Sequence, residues 1–157
     1  LKIDDKKTDL SPRQKAMDLL ARREHSAREL RLKLVARAFE PDAVEHVVQS
    51  LIDEGLLSDA RFAEVYTASR LRTGKGPVRI RSELEQRGVA AVLIDVSLAG
   101  VDVDWCERAR EVRARKFGAT SPGDFHERAR QSRFLQYRGF TGEQIRAAFD
   151  GADVNDN

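Results

Sequence analysis

Five cations lie close together in one stretch of this chain. Arg70, Arg72, Lys75, Arg79 and Arg81 sit astride Gly74-Lys75-Gly76-Pro77. A second group, Arg108, Arg110, Arg113, Arg115 and Lys116, follows, and Arg128, Arg130 and Arg133 extend it. Guanidinium groups present a planar fork that pairs with phosphate or carboxylate through two hydrogen bonds, so the chemistry on offer is anion recognition. Arg108 and Arg115 are seven apart and fall on nearly one helical face, whereas Arg79 and Arg81 point to different faces. The competing reading is a solvated surface, because exposed charges contribute little to structure.

Other chemistry finds no constellation. Gly74-Lys75-Gly76 lacks the full pattern of a phosphate-binding loop, and Pro77 follows where that loop has no proline. It reads as a helix-joining loop in which Lys75 can meet a phosphate or an acidic patch. His25, His46 and His126 show no ligand spacing, so no metal is expected, and His25 beside Ser26 reads as a turn residue or helix-end partner. Cys106, next to Trp105 on an expected buried helix, reads as a packed thiol. No nucleophile or paired acid is set out for catalysis, and no cofactor or small-molecule substrate is expected. The aromatics Phe39, Phe62, Tyr66, Phe125 and Phe149 fall on apolar stripes and are expected in the core. Phe134 and Tyr137 flank Leu135 on other faces.

The elements that must position these cations follow a repeat. Leu34-x-x-Arg37-Ala38-Phe39, Leu84-x-x-Arg87-Gly88-Val89 and Leu135-x-x-Arg138-Gly139-Phe140 recur at steps of 50 and 51 residues. Val44, Ile94 and Ile145 follow at matching offsets. Self-similarity at this period marks a modular chain with an extended surface. Pro12, Pro41, Pro77 and Pro122 each follow a plausible boundary residue, as expected of proline at the first helical position. Ser26-Ala27-Arg28-Glu29 and Thr141-Gly142-Glu143-Gln144 are capping-box patterns, and Ser58 caps a further helix. Val44, Val47, Val48, Leu51 and Ile52 form a helical stripe. Trp105, Ala109, Val112 and Lys116 share one face. Val89 to Leu98 is apolar nearly all round, and the repeat register makes it a short buried helix that Gly100 ends. Ala38 replaces the glycine of the other two copies, which weakens the stop there and predicts a different turn.

The expected fold is all-α, with three tandem three-helix repeats and about nine short helices. The units span 11–56, 57–101 and 102–150, between a flexible arm at 1–10 and a disordered tail at 151–157. Hydrophobic residues make up 41% of the chain and charged ones 34%, which suits helices with one solvated face. No apolar run is long enough to span a membrane and no secretory leader is visible. With a single cysteine, these features fit a cytoplasmic protein. Net charge is +2, and 21 of the 28 basic residues are arginine. Placement is uneven: residues 40–59 carry six acidic groups and no basic one, while 105–138 carry nine basic and four acidic.

The chain resembles the RecX regulatory proteins. The resemblance rests on Arg23-Glu24-His25-Ser26 with Glu29-Leu30 and Leu34, and on Leu56-Leu57-Ser58-Asp59-Ala60-Arg61-Phe62-Ala63 with Tyr66 and Arg70. It continues through Gly74-Lys75-Gly76-Pro77, Ile80, Glu83-Leu84 and Arg87-Gly88, then Phe134-Leu135-x-x-Arg138-Gly139-Phe140. It covers about residues 13–150. It implies three three-helix repeats and binding to the RecA recombinase as a filament on single-stranded DNA. The bound protein would lie in the filament groove and inhibit ATP hydrolysis, strand exchange and coprotease activity, in DNA repair, recombination and the SOS response. Single-stranded DNA itself would be touched weakly or indirectly. The alternative is a stand-alone DNA-binding protein with helix-turn-helix-like units, for which the acidic, apolar segment 41–54 is a poor recognition helix. On either reading the contact residues are expected among Arg70, Arg72, Lys75, Arg79 and Arg81, then Arg108, Arg115 and Lys116.

Overall fold

A computed structural model describes residues 9–150. The expected arm, save Asp9 and Leu10, and the expected tail at 151–157 lie outside the described residues. Those described form nine α-helices and no strand. Unit one contains α1 (Pro12–Arg22), α2 (Ala27–Ala36) and α3 (Pro41–Asp53). Unit two contains α4 (Asp59–Arg72), α5 (Pro77–Gln86) and α6 (Ala91–Gly100). Unit three contains α7 (Trp105–Phe117), α8 (Phe125–Arg138) and α9 (Gly142–Phe149).

The starts of these helices are set by local chemistry. Ser11, Ser26 and Thr141 close full capping boxes with Gln14, Glu29 and Gln144. Ser58, Asp104 and Asp124 accept from first-turn amides of α4, α7 and α8. Each box satisfies amides that the first helical turn leaves without partners. Each unit then buries its own apolar cluster. Leu30, Leu34, Val48 and Leu51 centre the first, Phe62, Ile80, Leu84 and Ile94 the second, and Ala109, Leu135, Phe140 and Phe149 the third. Trp105 packs against both the second and third clusters and so links them.

The units are joined by one device used twice. The N-terminal end of each second helix meets the C-terminal end of the next unit's second helix. Between units one and two, Ser26 Oγ donates to the Arg87 carbonyl at 2.7 Å, and Arg87 Nε lies 3.4 Å from Glu29 Oε1. Between units two and three the contact is backbone to backbone. The Gly76 N–H donates to the Arg138 carbonyl at 2.8 Å, and the Val78 N–H to the Gly139 carbonyl at 2.9 Å. Orphan amides of one helix thus satisfy orphan carbonyls of another, with their dipoles aligned. The recurring Leu-x-x-Arg-Gly segment is therefore a connector between units as well as a helix stop.

Several expectations are corrected. Ala38 does not change its turn: it takes φ of 65°, the left-handed conformation also held by Gly88 at 79° and Gly139 at 98°. Glycine is needed at the two later copies for space too. A Cβ on Gly88 would sit 2.9 Å from Arg28 side-chain carbons, and one on Gly139 would overlap the Arg79 Cβ and lie 2.6 Å from its backbone nitrogen. Ala38 is exposed, and among the described residues no other unit presses on it. Pro122 lies in the loop before α8, because the Asp124 carboxylate caps the Glu127 amide at 2.8 Å and starts the helix later. Phe125, the first residue of α8, is 80% exposed rather than in the core. Its counterparts Ala27 and Pro77 adjoin the following unit, whereas among the described residues no further unit packs on Phe125. Phe39, Phe62, Tyr66 and Phe149 do pack in the cores. The α6 helix is not buried all round: Ile94 and Ser97 are covered while Val92 and Val96 face outward, and Gly100 is its last residue. Cys106 is half-buried. His25 does lie in the turn between α1 and α2, as expected, and is 1% exposed there, with Nδ1 3.0 Å from the Arg23 carbonyl and Nε2 2.9 Å from Lys33 Nζ.

Left-handed backbone costs an L-residue roughly 1–2 kcal/mol, part of which glycine's extra freedom in the unfolded chain cancels. Ala38→Gly should therefore raise stability by about 1 kcal/mol. Gly88→Ala should lower it by about 1–2 kcal/mol, since the Arg28 side chain can swing aside, and Gly139→Ala by about 2–4 kcal/mol, since backbone must move. Urea unfolding of the three variants checks this order.

Candidate binding interface

The two cation clusters are sorted by what surrounds them. Within the first, Arg70 Nε and Nη2 both lie 2.7 Å from the Glu83 carboxylate, and Arg79 Nε adds a third contact at 3.1 Å. Tyr66 Oη donates to the same carboxylate at 2.7 Å. Burial pushes the Glu83 carboxyl up, but hydrogen bonds from Arg70, Tyr66 and Arg79 outweigh it and bring the pKa down to about 2. Burial, then the bond to Glu83, raises the Tyr66 hydroxyl to about 12. Arg87 lies 4.8 Å from the Tyr66 ring centre. Arg70 and Tyr66 thus tie α4 to α5 through a carboxylate that Arg79 also holds within α5. Arg81 is ion-paired with Asp95 across α5 and α6.

Arg72 and Lys75 have no carboxylate partner among the described residues. Burial lowers the Lys75 pKa, and the positive charges of Arg138, Arg79 and Arg70 lower it further. In the second cluster, Arg113 is 2% exposed and structural: Nε donates to Gln131 Oε1 at 2.9 Å and Nη2 to the Thr120 carbonyl at 2.7 Å. Arg110 pairs with Glu107 and donates to the Ala147 carbonyl. Arg108 is divided between Glu111 at 3.0 Å and the Leu71 carbonyl at 2.9 Å. Arg115 and Lys116 are exposed, with no carboxylate partner among the described residues.

Folding brings Arg72 of the first cluster and Arg115 and Lys116 of the second to one place. A groove of about 350 Å³ runs along the junction of units two and three. Arg72, Thr73 and Gly74 line it from the end of α4, and Arg108, Arg115 and Lys116 from α7. Phe134 and Arg138 complete it from α8, and no acidic residue lines it. Arg138 Nη1 donates to the Thr73 carbonyl at 3.1 Å, which pins α8 to the end of α4. Arg138 and Lys116 lie 5.0 and 5.9 Å from the Phe134 ring centre, on an aromatic that supports both cations. Such a groove concentrates positive potential and can hold an anionic chain or an acidic protein edge. Arg70, Lys75, Arg79 and Arg81 lie outside its lining. Arg138 was not among the residues expected from the sequence, although the recurrence of Arg37, Arg87 and Arg138 in one motif was the available signal.

The Glu83 carboxylate supplies a pH signature. Its folded pKa of about 2 lies below the ordinary 4.5, so its stabilisation is complete above pH 4.5 and is lost as pH falls through about 2. Glu83→Gln should cost about 2–4 kcal/mol at neutral pH by leaving two guanidinium groups unpaired, and should remove that acid-sensitive component. Unfolding measured from pH 7 to pH 2 in both proteins checks it.

Comparison with known proteins joins these features to a family. The profiles of the first, second and third three-helix domains of RecX match residues 13–51, 58–98 and 102–149. The regulatory protein RecX of Halorhodospira halophila is 53% identical over 144 residues, covering 92% of this chain and 89% of that protein. The regulatory protein RecX of Pseudomonas fluorescens is 45% identical over 144 residues, covering 92% and 93%. The crystal structure of RecX from Lactobacillus salivarius superposes with a TM-score of 0.77 at 20% identity, covering 91% of this chain and 95% of that one, and so shares the fold. With identity of this extent across all three units, the chain belongs to the RecX family of regulatory proteins.

Proposed function

We propose that this chain binds the RecA recombinase and its filament on single-stranded DNA, lies in the filament groove, and inhibits ATP hydrolysis, strand exchange and coprotease activity. The supporting observation is the acid-free groove at the junction of units two and three, with Arg72, Arg108, Arg115, Lys116 and Arg138 around it. Such a surface suits the phosphates of a filament-bound strand or an acidic edge of the recombinase. Membership of the RecX family supports RecA as the partner. Three linked units let several weak contacts act together, so neighbouring protomers of a filament would be bridged. A bridging protein opposes the motion between protomers that accompanies ATP turnover, and one lying in the groove obstructs a second DNA strand or a protein substrate. The protein acts on this reading as a cytoplasmic modulator of DNA repair and recombination rather than as an enzyme.

The test uses residues whose reversal leaves the Glu83 clamp intact. Arg72→Glu, Arg115→Glu and Lys116→Glu combined should weaken inhibition of the DNA-dependent ATPase of RecA by about tenfold or more. Arg81→Glu should change it by less than about threefold, being placed away from the groove. Lys75→Glu and Arg138→Glu extend the series. Full inhibition by the triple variant, with its helical content unchanged, would sink the assignment of this groove. Tight sequence-specific binding of duplex DNA without RecA would instead favour a stand-alone DNA-binding protein.

A further inference from the structure

The outer face of α6 departs from its two counterparts. With Val44, Ile94 and Ile145 aligned, Val92, Val96 and Ala99 take the positions of Asp42, His46 and Gln49 in unit one. In unit three the same positions hold Glu143, Ala147 and Asp150. The unit-one residues are all exposed, as are Glu143 and Asp150, so the repeat ordinarily turns a polar face outward here. In unit two Val92 is 66% exposed and Val96 65%. Val96 lines a groove of about 560 Å³ between α4 and α6, and Val92 stands one turn before it on the same helix. Ala60 and Ala68 form one wall, Leu93, Val96 and Gly100 the other. The small side chains leave room for close approach, and no atom lies within 4 Å of a Cβ built on Gly100. A contiguous aliphatic face found in one of three homologous positions marks a contact surface.

The rim identifies the occupant. Arg61, the groove's one cation, is spent on Glu24 and on the Gly55 and Leu56 carbonyls. Glu64 on α4, the groove's one lining carboxylate, and Asp102, which follows the lining residue Val101, are exposed and have no cation partner among the described residues. An aliphatic groove with an acidic rim is complementary to a helix that is aliphatic on one face and cationic beside it. We propose that the α4–α6 groove docks such a basic amphipathic helix from a protein partner. That the partner is RecA rests on the function proposed above; the chemistry of the occupant rests on the groove alone. Residues 151–157 carry two aspartates and no cation, so an acidic rim repels them. A second copy docked through the same groove would set Glu64 and Asp102 against acidic groups of its own kind.

Val92→Gln with Val96→Gln keeps helix-forming residues and removes the aliphatic face. In this variant, with helical content unchanged, affinity for RecA without DNA should fall by about tenfold or more. Its binding of a thymidine oligonucleotide should stay within about twofold, and the Arg72, Arg115 and Lys116 reversals should change the oligonucleotide arm instead. RecA affinity within about twofold of the parent overturns the proposal. If the parent itself binds no RecA, the functional reading fails separately. The groove is then judged with a synthetic leucine–lysine amphipathic helix against its leucine–glutamate counterpart. A preference of about tenfold for the lysine peptide, lost in the glutamine variant, supports the site, and equal binding of both peptides overturns it. A rise in lysine-peptide affinity on removal of residues 1–8, or a dimer that the glutamine variant dissolves, assigns the groove to the chain's own arm or to a second copy and also overturns it.

Discussion

Two backbone hydrogen bonds, from Gly76 to Arg138 and from Val78 to Gly139, govern the arrangement of the functional half of the molecule. They seat the start of α5 on the end of α8, and so bring the end of α4 beside α7 and α8. Each bond is worth only about 1 kcal/mol net. Their effect comes from geometry, because both partners are helix-end groups that would otherwise lie buried and unpaired. Close approach also requires that neither Gly76 nor Gly139 carry a Cβ: one on Gly76 would lie 2.6 Å from the Phe140 nitrogen. Trp105, shared by two cores, and the Arg138 bond to Thr73 hold the same junction from its sides.

This seam divides the arginines into two kinds. Arg70, Arg79, Arg87 and Arg113 are consumed within the fold, on Glu83, Glu29, Gln131 and backbone carbonyls. Arg72, Arg115 and Lys116 have no carboxylate partner among the described residues and converge where units two and three meet. An arginine-rich chain thus uses many of its cations as internal ties and leaves a minority for an external anion. Unit one, with its acidic α3, and unit two, with the aliphatic face of α6, present different chemistry along the same array. The repeats share a scaffold and diverge on their surfaces.

The helices were legible because their signals are local. Ser26 with Glu29, Thr141 with Gln144, Ser58, and the prolines at 12, 41 and 77 each act within one turn of the chain. Pro122 misled because Asp124, two residues on, supplies a competing cap. Phe125 lies on an apolar stripe in sequence, yet nothing among the described residues covers it. Ala38 lacks glycine's tolerance of left-handed backbone but has nothing packed on its Cβ side. The outward valines of α6 read as core because a run apolar all round gives no indication of which face is covered.

The sequence by itself determined the three-unit plan, the helices, their polarity of charge and the residues able to bind anions. Those follow from interactions within a few residues and from a repeat of fifty. Tertiary structure decided which cations remain available. Pairing depends on which carboxylate lies within about 4 Å after folding, and Glu83 reaches Arg70 thirteen residues away while Arg138 reaches Thr73 across sixty-five. Folding likewise decided that Arg72 and Arg115, far apart in the chain, line one groove, because the α5–α8 seam, with Trp105 and the Arg138 bond to Thr73, sets the ends of α4, α7 and α8 side by side.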